Sequence, residues 1–224
     1  MNYKIALDGP SGAGKSSLAK RIAKTLGIVY VDTGAMYRTI GLYMTRAGVS
    51  LDDEEAVCRL LPNIKLAIRF ESGEQHVLLD GEDVGGLIRT PEISMAASRV
   101  SAIPAVREFL LDTQRDMAKE NSVIMDGRDI GTVIFPDAEV KIFLVASAEA
   151  RARRRTAELA EKGIAATYED VLADIIKRDK NDSEREIAPA VAAADAVVLD
   201  NSLLDLDGTV AEALRIIRER IGSI

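Results

Sequence analysis

The sequence predicts an α/β protein built on a doubly wound parallel sheet, and three observations lead to that reading. Short apolar runs recur at Tyr3–Leu7, Ile28–Val31, Val123–Met125, Val140–Val145 and Ala196–Leu199, with stretches of helical apolar spacing between them. Asp8, Asp32, Asp126 and Asp200 each stand where such a run hands over to a loop, the carboxyl edge at which open α/β sheets bind ligands. Between residues 63 and 83 the period changes to two, which marks a β-rich insertion in the core.

Taken in order, Tyr3–Leu7 reads as a strand, residues 9–16 as a glycine-rich turn, and Leu18, Ile22, Ala23 and Leu26 as the apolar side of a helix that Gly27 closes. After the second strand, Met36, Tyr37, Ile40 and Met44 line a helix ending near Gly48, and Asp52 and Asp53 cap another over Glu54–Leu61 before Pro62. Leu66, Ile68 and Phe70 then alternate with Lys65, Ala67, Arg69 and Glu71, turn at Ser72-Gly73 and return through His76–Leu79, an antiparallel meander. Two helices follow, Glu92–Ser101 and Val106–Ala118. The core resumes with two strands, helices over Glu149–Glu161 and Glu169–Lys180, the last strand and a C-terminal helix carrying Val210, Leu214, Ile217 and Ile221.

Composition narrows the function. With 224 residues, 47% hydrophobic and 29% charged, the chain has the balance of a globular domain. A net charge of -7 argues against a general nucleic-acid binder, and no apolar run reaches the ~20 residues of a membrane helix. One cysteine, Cys58, cannot form an internal disulfide; its apolar neighbours predict a buried helix face, and the chain is expected in the cytoplasm. His76, the only histidine, is expected to be structural or on the surface. The arginines are uneven: Arg151, Arg153, Arg154 and Arg155 cluster, and Lys177, Arg178, Lys180 and Arg185 follow.

Gly9, Pro10, Ser11, Gly12, Ala13, Gly14, Lys15 and Ser16 complete the pattern G-x-x-x-x-G-K-[ST] between a strand and a helix. The glycines let several backbone N–H groups face one anion, the helix presents its positive end, Lys15 reaches the β- and γ-phosphates, and Ser16 supplies a hydroxyl to Mg²⁺. An N-K-x-D guanine reader is absent. Asp205-Leu206-Asp207-Gly208-Thr209 imitates a phosphatase nucleophile motif, but it opens the terminal helix, where Thr209 and Glu212 fit a capping box. Arg38 and the Asp126-Gly127-Arg128-Asp129 segment follow core strands at the same edge, and Arg178, Asp179, Asp182 and Arg185 recur at helical spacing on what could be one charged face.

The segments Gly9–Ser16, Asp32–Arg38, Ser98–Arg107, Asp126–Pro136 and Arg178–Arg185 together resemble bacterial cytidylate kinases over nearly the whole chain. The resemblance implies a phosphate-loop kinase core at 1–62 and 120–224, a nucleoside-monophosphate-binding insertion at 63–119 and a short helical lid at about 150–185. It implies ATP and Mg²⁺ as cofactors, CMP or dCMP as acceptor, no nucleic-acid or membrane partner, and a monomer. It assigns cytosine to Ser98, Arg107 and Asp129; the monophosphate to Arg38, Arg128, Arg178 and Arg185; and the sugar hydroxyls to Asp182. Thr33 joins the acceptor-binding set, Arg154 and Arg155 join Ser17 and the glycine loop on the ATP side, and Lys15, Arg128 and Arg178 carry catalysis. Ser17 stands where the family usually has threonine. Readings as a kinase for another small acceptor, or as a nucleotide-dependent switch, stay open at this point.

Overall fold

The computed structural model describes residues 2–71, 73–161 and 163–222. In chain order its elements are β1 (Lys4–Asp8), α1 (Lys15–Leu26), β2 (Val29–Asp32), α2 (Thr33–Arg46), α3 (Glu54–Leu60), β3 (Leu66–Glu71), β4 (Glu74–Leu79), β5 (Glu82–Asp83) and α4 (Pro91–Val100). There follow α5 (Pro104–Asp116), β6 (Val123–Asp126), β7 (Val140–Val145), α6 (Ala148–Glu161), α7 (Tyr168–Glu184), β8 (Val197–Asp200) and α8 (Leu206–Ile221). The chain divides into two compact units, one of Tyr3–Ile28 with the residues from Ile124 onward, the other of Val29–Val123.

In the first unit the strands run β6-β1-β7-β8. β1 lies parallel to β7 with Ile5 opposite Val140 and Asp8 opposite Phe143, and β7 lies parallel to β8 with Ile142 opposite Val197. Ile5, Leu7, Ile124 and Met125 are fully buried, the two-sided burial that a helix-covered parallel sheet requires. Each such side chain contributes about 1.5–3 kcal/mol over its exposed state. Leu18 and Ile22 of α1 and Ala213 and Ile217 of α8 are buried as these helices pack together. Ala152, Leu159, Val171 and Ile175 form the apolar seam of α6 and α7.

Two readings of this unit are corrected. Asp205 caps α8 by accepting from the Gly208 N–H at 2.7 Å, so Thr209 lies inside the helix, its hydroxyl donating to the Asp205 carbonyl at 2.6 Å. Glu212 pairs with Arg215 instead of closing a capping box, because the aspartate three residues before Gly208 already meets the first free N–H groups. α7 continues past Lys180 to Glu184; along it Asp179 pairs with Arg151 and Asp182 with Arg128.

In the second unit Asp32 ends β2 and caps α2, accepting from the Ala35 N–H at 2.9 Å. α2 packs on α4 so closely that a Cβ on Gly41 would stand 3.0 Å from that of Ala96. α3 is capped by Asp53 through the Ala56 N–H. Here Cys58 is corrected: the thiol is half-buried, and Val57 is the residue that the helix buries. The antiparallel order β3-β4-β5 sets Leu66 opposite Leu79 and Leu78 opposite Asp83. Asp80 and Gly81, with φ of 52° and 88°, make the tight turn between β4 and β5 that Asp-Gly favours. Gly73 has φ of 82°; Ser72 lies outside the described residues. His76 is paired through Nδ1 with Asp83 at 2.7 Å, a structural contact between these strands. Pro91 and Pro104 open α4 and α5 at positions where a missing N–H costs nothing.

Candidate active site

The glycine loop follows from the space available at the end of β1. Gly9 has φ of 146°, and a Cβ there would stand 2.0 Å from the Leu144 carbonyl oxygen of β7. Only glycine fits. Gly14 precedes α1 with φ of 92° and no side-chain cap, and the first turn of the helix carries no acidic residue. The N-terminal dipole is therefore left for an incoming anion. Two side chains brace the loop from outside it: Asn201 donates through Nδ2 to the Ala13 carbonyl at 3.0 Å, and Arg151 donates through Nη1 to the Ser11 carbonyl at 2.9 Å.

Lys15 is 6% exposed and donates to the Pro10 carbonyl at 2.8 Å. Burial pushes its pKa down to about 7, helped by the Arg128 cation and opposed by Asp126, Asp8 and Asp182. A buried lysine at the mouth of a helix without a side-chain cap is poised for phosphate. The Ser16 hydroxyl donates to Oδ2 of Asp126, at the end of β6, at 2.8 Å. A hydroxyl and a carboxylate are the hard oxygen donors that Mg²⁺ takes when it keeps most of its waters and phosphate oxygens. Among the described residues no group of three or more His, Cys, Asp or Glu side chains is placed to hold a metal ion.

Beyond Asp126 the chain runs through Gly127, Arg128 and Asp129 into a single π-helical turn, Ile130–Ile134. Arg128 donates through Nε to Oδ2 of Asp182 at 2.9 Å and through Nη1 to the Gly127 carbonyl at 3.2 Å. Asp129 is 4% exposed. The turn is held from β1, where the Asp8 carboxylate accepts from the Ile130 N–H at 2.8 Å and the Gly131 N–H at 2.7 Å. Burial pushes the Asp8 pKa up to about 6, the two N–H groups and Lys15 drawing it down and Asp129 adding to the rise.

Arg151, buried at 4% exposure, is gripped by both oxygens of Asp179 at 2.9 and 2.5 Å, which ties α6 to α7. Arg178 and Arg185 are half-buried, and Arg185 donates through Nε to the Ala188 carbonyl at 2.5 Å. Arg154 donates to the Asn201 carbonyl at 2.6 Å, and Arg155 pairs with Glu158 at 2.8 Å. Ser17 is exposed on α1.

The second unit arranges its own set. Thr33 is buried at the start of α2. Asp32 accepts from Arg38 Nη2 at 2.8 Å, and the buried Arg38 Nε has no hydrogen-bond partner. Gln75 of β4 fixes Asp32 in turn: its Oε1 accepts from the Asp32 N–H at 2.8 Å and its Nε2 donates to the Asp32 carbonyl at 3.2 Å. Arg107 lies over the Tyr37 ring, 5.6 Å from its centroid, and donates to the Ser101 carbonyl at 3.1 Å. The Ser101 hydroxyl reaches back to the Ser98 carbonyl at 2.9 Å, so Ser98 and Arg107 are linked through one backbone corner.

A chain with this loop, this Ser-Asp pair and this set of arginines matches the family model described as cytidylate kinase over residues 5–219. The chain belongs to the cytidylate kinase family. Among curated members, the cytidylate kinase of Caldicellulosiruptor saccharolyticus is 49% identical over 219 residues, 98% of this chain and 97% of that protein. That of Thermosipho melanesiensis is 48% identical over 220 residues, 98% of this chain and 99% of that protein. Among solved structures, an uncharacterized protein from Eubacterium ventriosum ATCC 27560 superposes with a TM-score of 0.53 at 15% identity, covering 98% of this chain and 100% of that one. That likeness is one of fold.

Sequence reasoning missed three contacts: Asp126 on Ser16, Asp8 beneath the Ile130 turn, and Arg151 between Asp179 and the phosphate loop. The signal for the first two was present, since both aspartates end strands at the carboxyl edge. Nothing in the spacing of Arg151 separates it from the exposed arginines around it.

Proposed function

We propose that the protein transfers the γ-phosphoryl group of ATP to CMP or dCMP, giving ADP and CDP or dCDP. The observation that carries this is a cytidylate kinase match across residues 5–219 in a chain whose phosphate loop is intact and open. A nucleotide switch without an acceptor would have no use for the half-buried Arg38, whose Nε lacks a partner.

The acceptor is a phosphate monoester with a second pKa near ~6, already mostly dianionic at neutral pH, so no strong general base is needed. The work is to bring two anions together. Lys15 neutralises charge on the donor's β- and γ-phosphates, and Arg38, Arg128, Arg178 and Arg185 neutralise the acceptor's phosphate. Ser16, with Asp126 behind it, would hold Mg²⁺, which when bound lowers the charge of the phosphate oxygens. Arg128 and Arg178 offset charge on the transferring group. Thr33 and Asp182 hold the acceptor nucleoside, Asp182 at its sugar hydroxyls.

For the base, Asp129 accepts from the cytosine amino group while Ser98 and Arg107 serve N3 and O2. Residues 63–119 act as the acceptor-binding insertion and residues 150–185 as a lid that excludes water, with Arg154 and Arg155 turning to ATP from their present partners. The protein acts in the cytoplasm as a monomer. A coupled assay of ADP release with CMP, dCMP, UMP and AMP tests the reading: the cytidine nucleotides are the efficient acceptors, and equal rates with UMP or AMP overturn it.

A further inference from the structure

The carboxylate of Asp8 is the feature of this molecule that the chemistry above does not use. It ends β1, immediately before Gly9, and is 5% exposed. A buried carboxylate is expensive unless its oxygens are met, and here each oxygen takes one N–H from successive residues, Ile130 and Gly131, at 2.8 and 2.7 Å. Two adjacent backbone donors converging on one carboxylate fix both the height and the rotation of the turn that they open. That turn begins straight after Asp129, and the Gly127 N–H also donates to the Leu7 carbonyl at 3.1 Å, so β1 holds the segment on both sides of Arg128 and Asp129. Gly131 lets the turn come this close, since a Cβ there would stand 3.2 Å from the Lys141 side chain and 3.4 Å from Asp8 Oδ2.

We propose that Asp8 is a positioning residue for base selection: its ionised carboxylate sets the Ile130–Gly131 backbone so that the Asp129 carboxylate meets the cytosine amino group. This rests on the assignment of Asp129 to the base. The contact is worth keeping only while Asp8 is charged, because a protonated or amidated side chain presents one acceptor and one donor to two N–H groups. Burial works against that charge, and the charged groups acting on Asp8 are Asp129, which disfavours ionisation, and Lys15, which favours it. With its pKa pushed up to about 6, Asp8 loses the proton as pH rises through that value, and the turn is held fully only above it.

The test is the ratio of kcat/KM for CMP to that for UMP, a quantity from which the phosphate titration common to both acceptors cancels. In the wild-type enzyme the ratio falls as pH drops from 7.5 to 5.5; a ratio flat across that range overturns the proposal. In Asp8→Asn the ratio at pH 7.5 falls about tenfold, the loss of one hydrogen bond to a charged group, while KM for ATP stays within about twofold. An unchanged ratio, or KM for ATP rising as much as KM for CMP, overturns the proposal and leaves Asp8 a prop for the phosphate loop. Adding Asp8→Asn to Asp129→Ala produces no further fall, since the first residue acts through the second. Failure of the base assignment looks different: Asp129→Ala then leaves the wild-type ratio intact, and Asp8, having nothing to position, loses its proposed role as well.

Discussion

The Ser16 hydroxyl and the Asp126 carboxylate meet at 2.8 Å, joining the first turn of α1 to the end of β6. This contact gives the helix that receives phosphate a fixed relation to a neighbouring strand, and it keeps two hard oxygens side by side. Asp126→Ala removes one of them. The concentration of Mg²⁺ needed for half-maximal rate is expected to rise about tenfold, with KM for CMP little changed. Titration of ADP binding against Mg²⁺ by calorimetry gives the same shift without turnover, and an unaltered Mg²⁺ requirement would leave Asp126 a structural partner only.

Lys15 offers a test in protons. With a pKa near 7 before nucleotide binds, it is mostly neutral at pH 8, and phosphate oxygens restore its charge. ADP binding at pH 8 should take up a fraction of a proton that vanishes by pH 6, where the lysine is already charged. Calorimetry in buffers of different ionisation enthalpy measures it, and Lys15→Met should abolish the Lys15 share together with phosphoryl transfer. The same shift has a sign for stability. The unfolded chain holds this proton up to pH 10.5 and the folded chain loses it near 7, so stability gains from Lys15 as pH rises between them. Uptake equal in Lys15→Met and wild type would contradict the assignment.

Arg38 is held by Asp32 at 2.8 Å with a buried Nε left over, an arrangement suited to a second anion. Arg38→Ala should raise KM for CMP by about ten- to a hundredfold and leave KM for ATP nearly unchanged. Equal effects on both substrates would move the residue to the donor side.

Gly9 is the least replaceable residue of the loop. Gly9→Ala combines a φ of 146° with a 2.0 Å approach to backbone oxygen, so the loss of stability is expected at about 4 kcal/mol or more, seen as a large fall in Tm or as insoluble protein. A variant that melts with the wild type would show that the β1–β7 edge opens more easily than its packing implies.

The strands and helices were legible because the core strands are short apolar runs, as in Val140–Val145, and the helices carry their period, as in Leu18 and Ile22 on one side of α1. The loop at Gly9–Ser16 was legible because its spacing encodes a backbone shape. Caps were less so. Asp205 and Thr209 both suit a helix start, and only the chain's path decides between them. Side-chain pairings far apart in sequence, such as Asp8 with Gly131 or Arg151 with Asp179, leave no periodic trace, since they depend on which strands become neighbours. The same holds for Gln75, whose amide pairs with Asp32 across 43 positions of sequence.

Phosphoryl transfer from ATP to a cytidine monophosphate is followed directly, without coupling enzymes, by ³¹P NMR of the enzyme with ATP, CMP and Mg²⁺. The β-phosphorus signal of CDP is expected to grow in step with ADP, one for one. Growth of inorganic phosphate with CMP unchanged would contradict it.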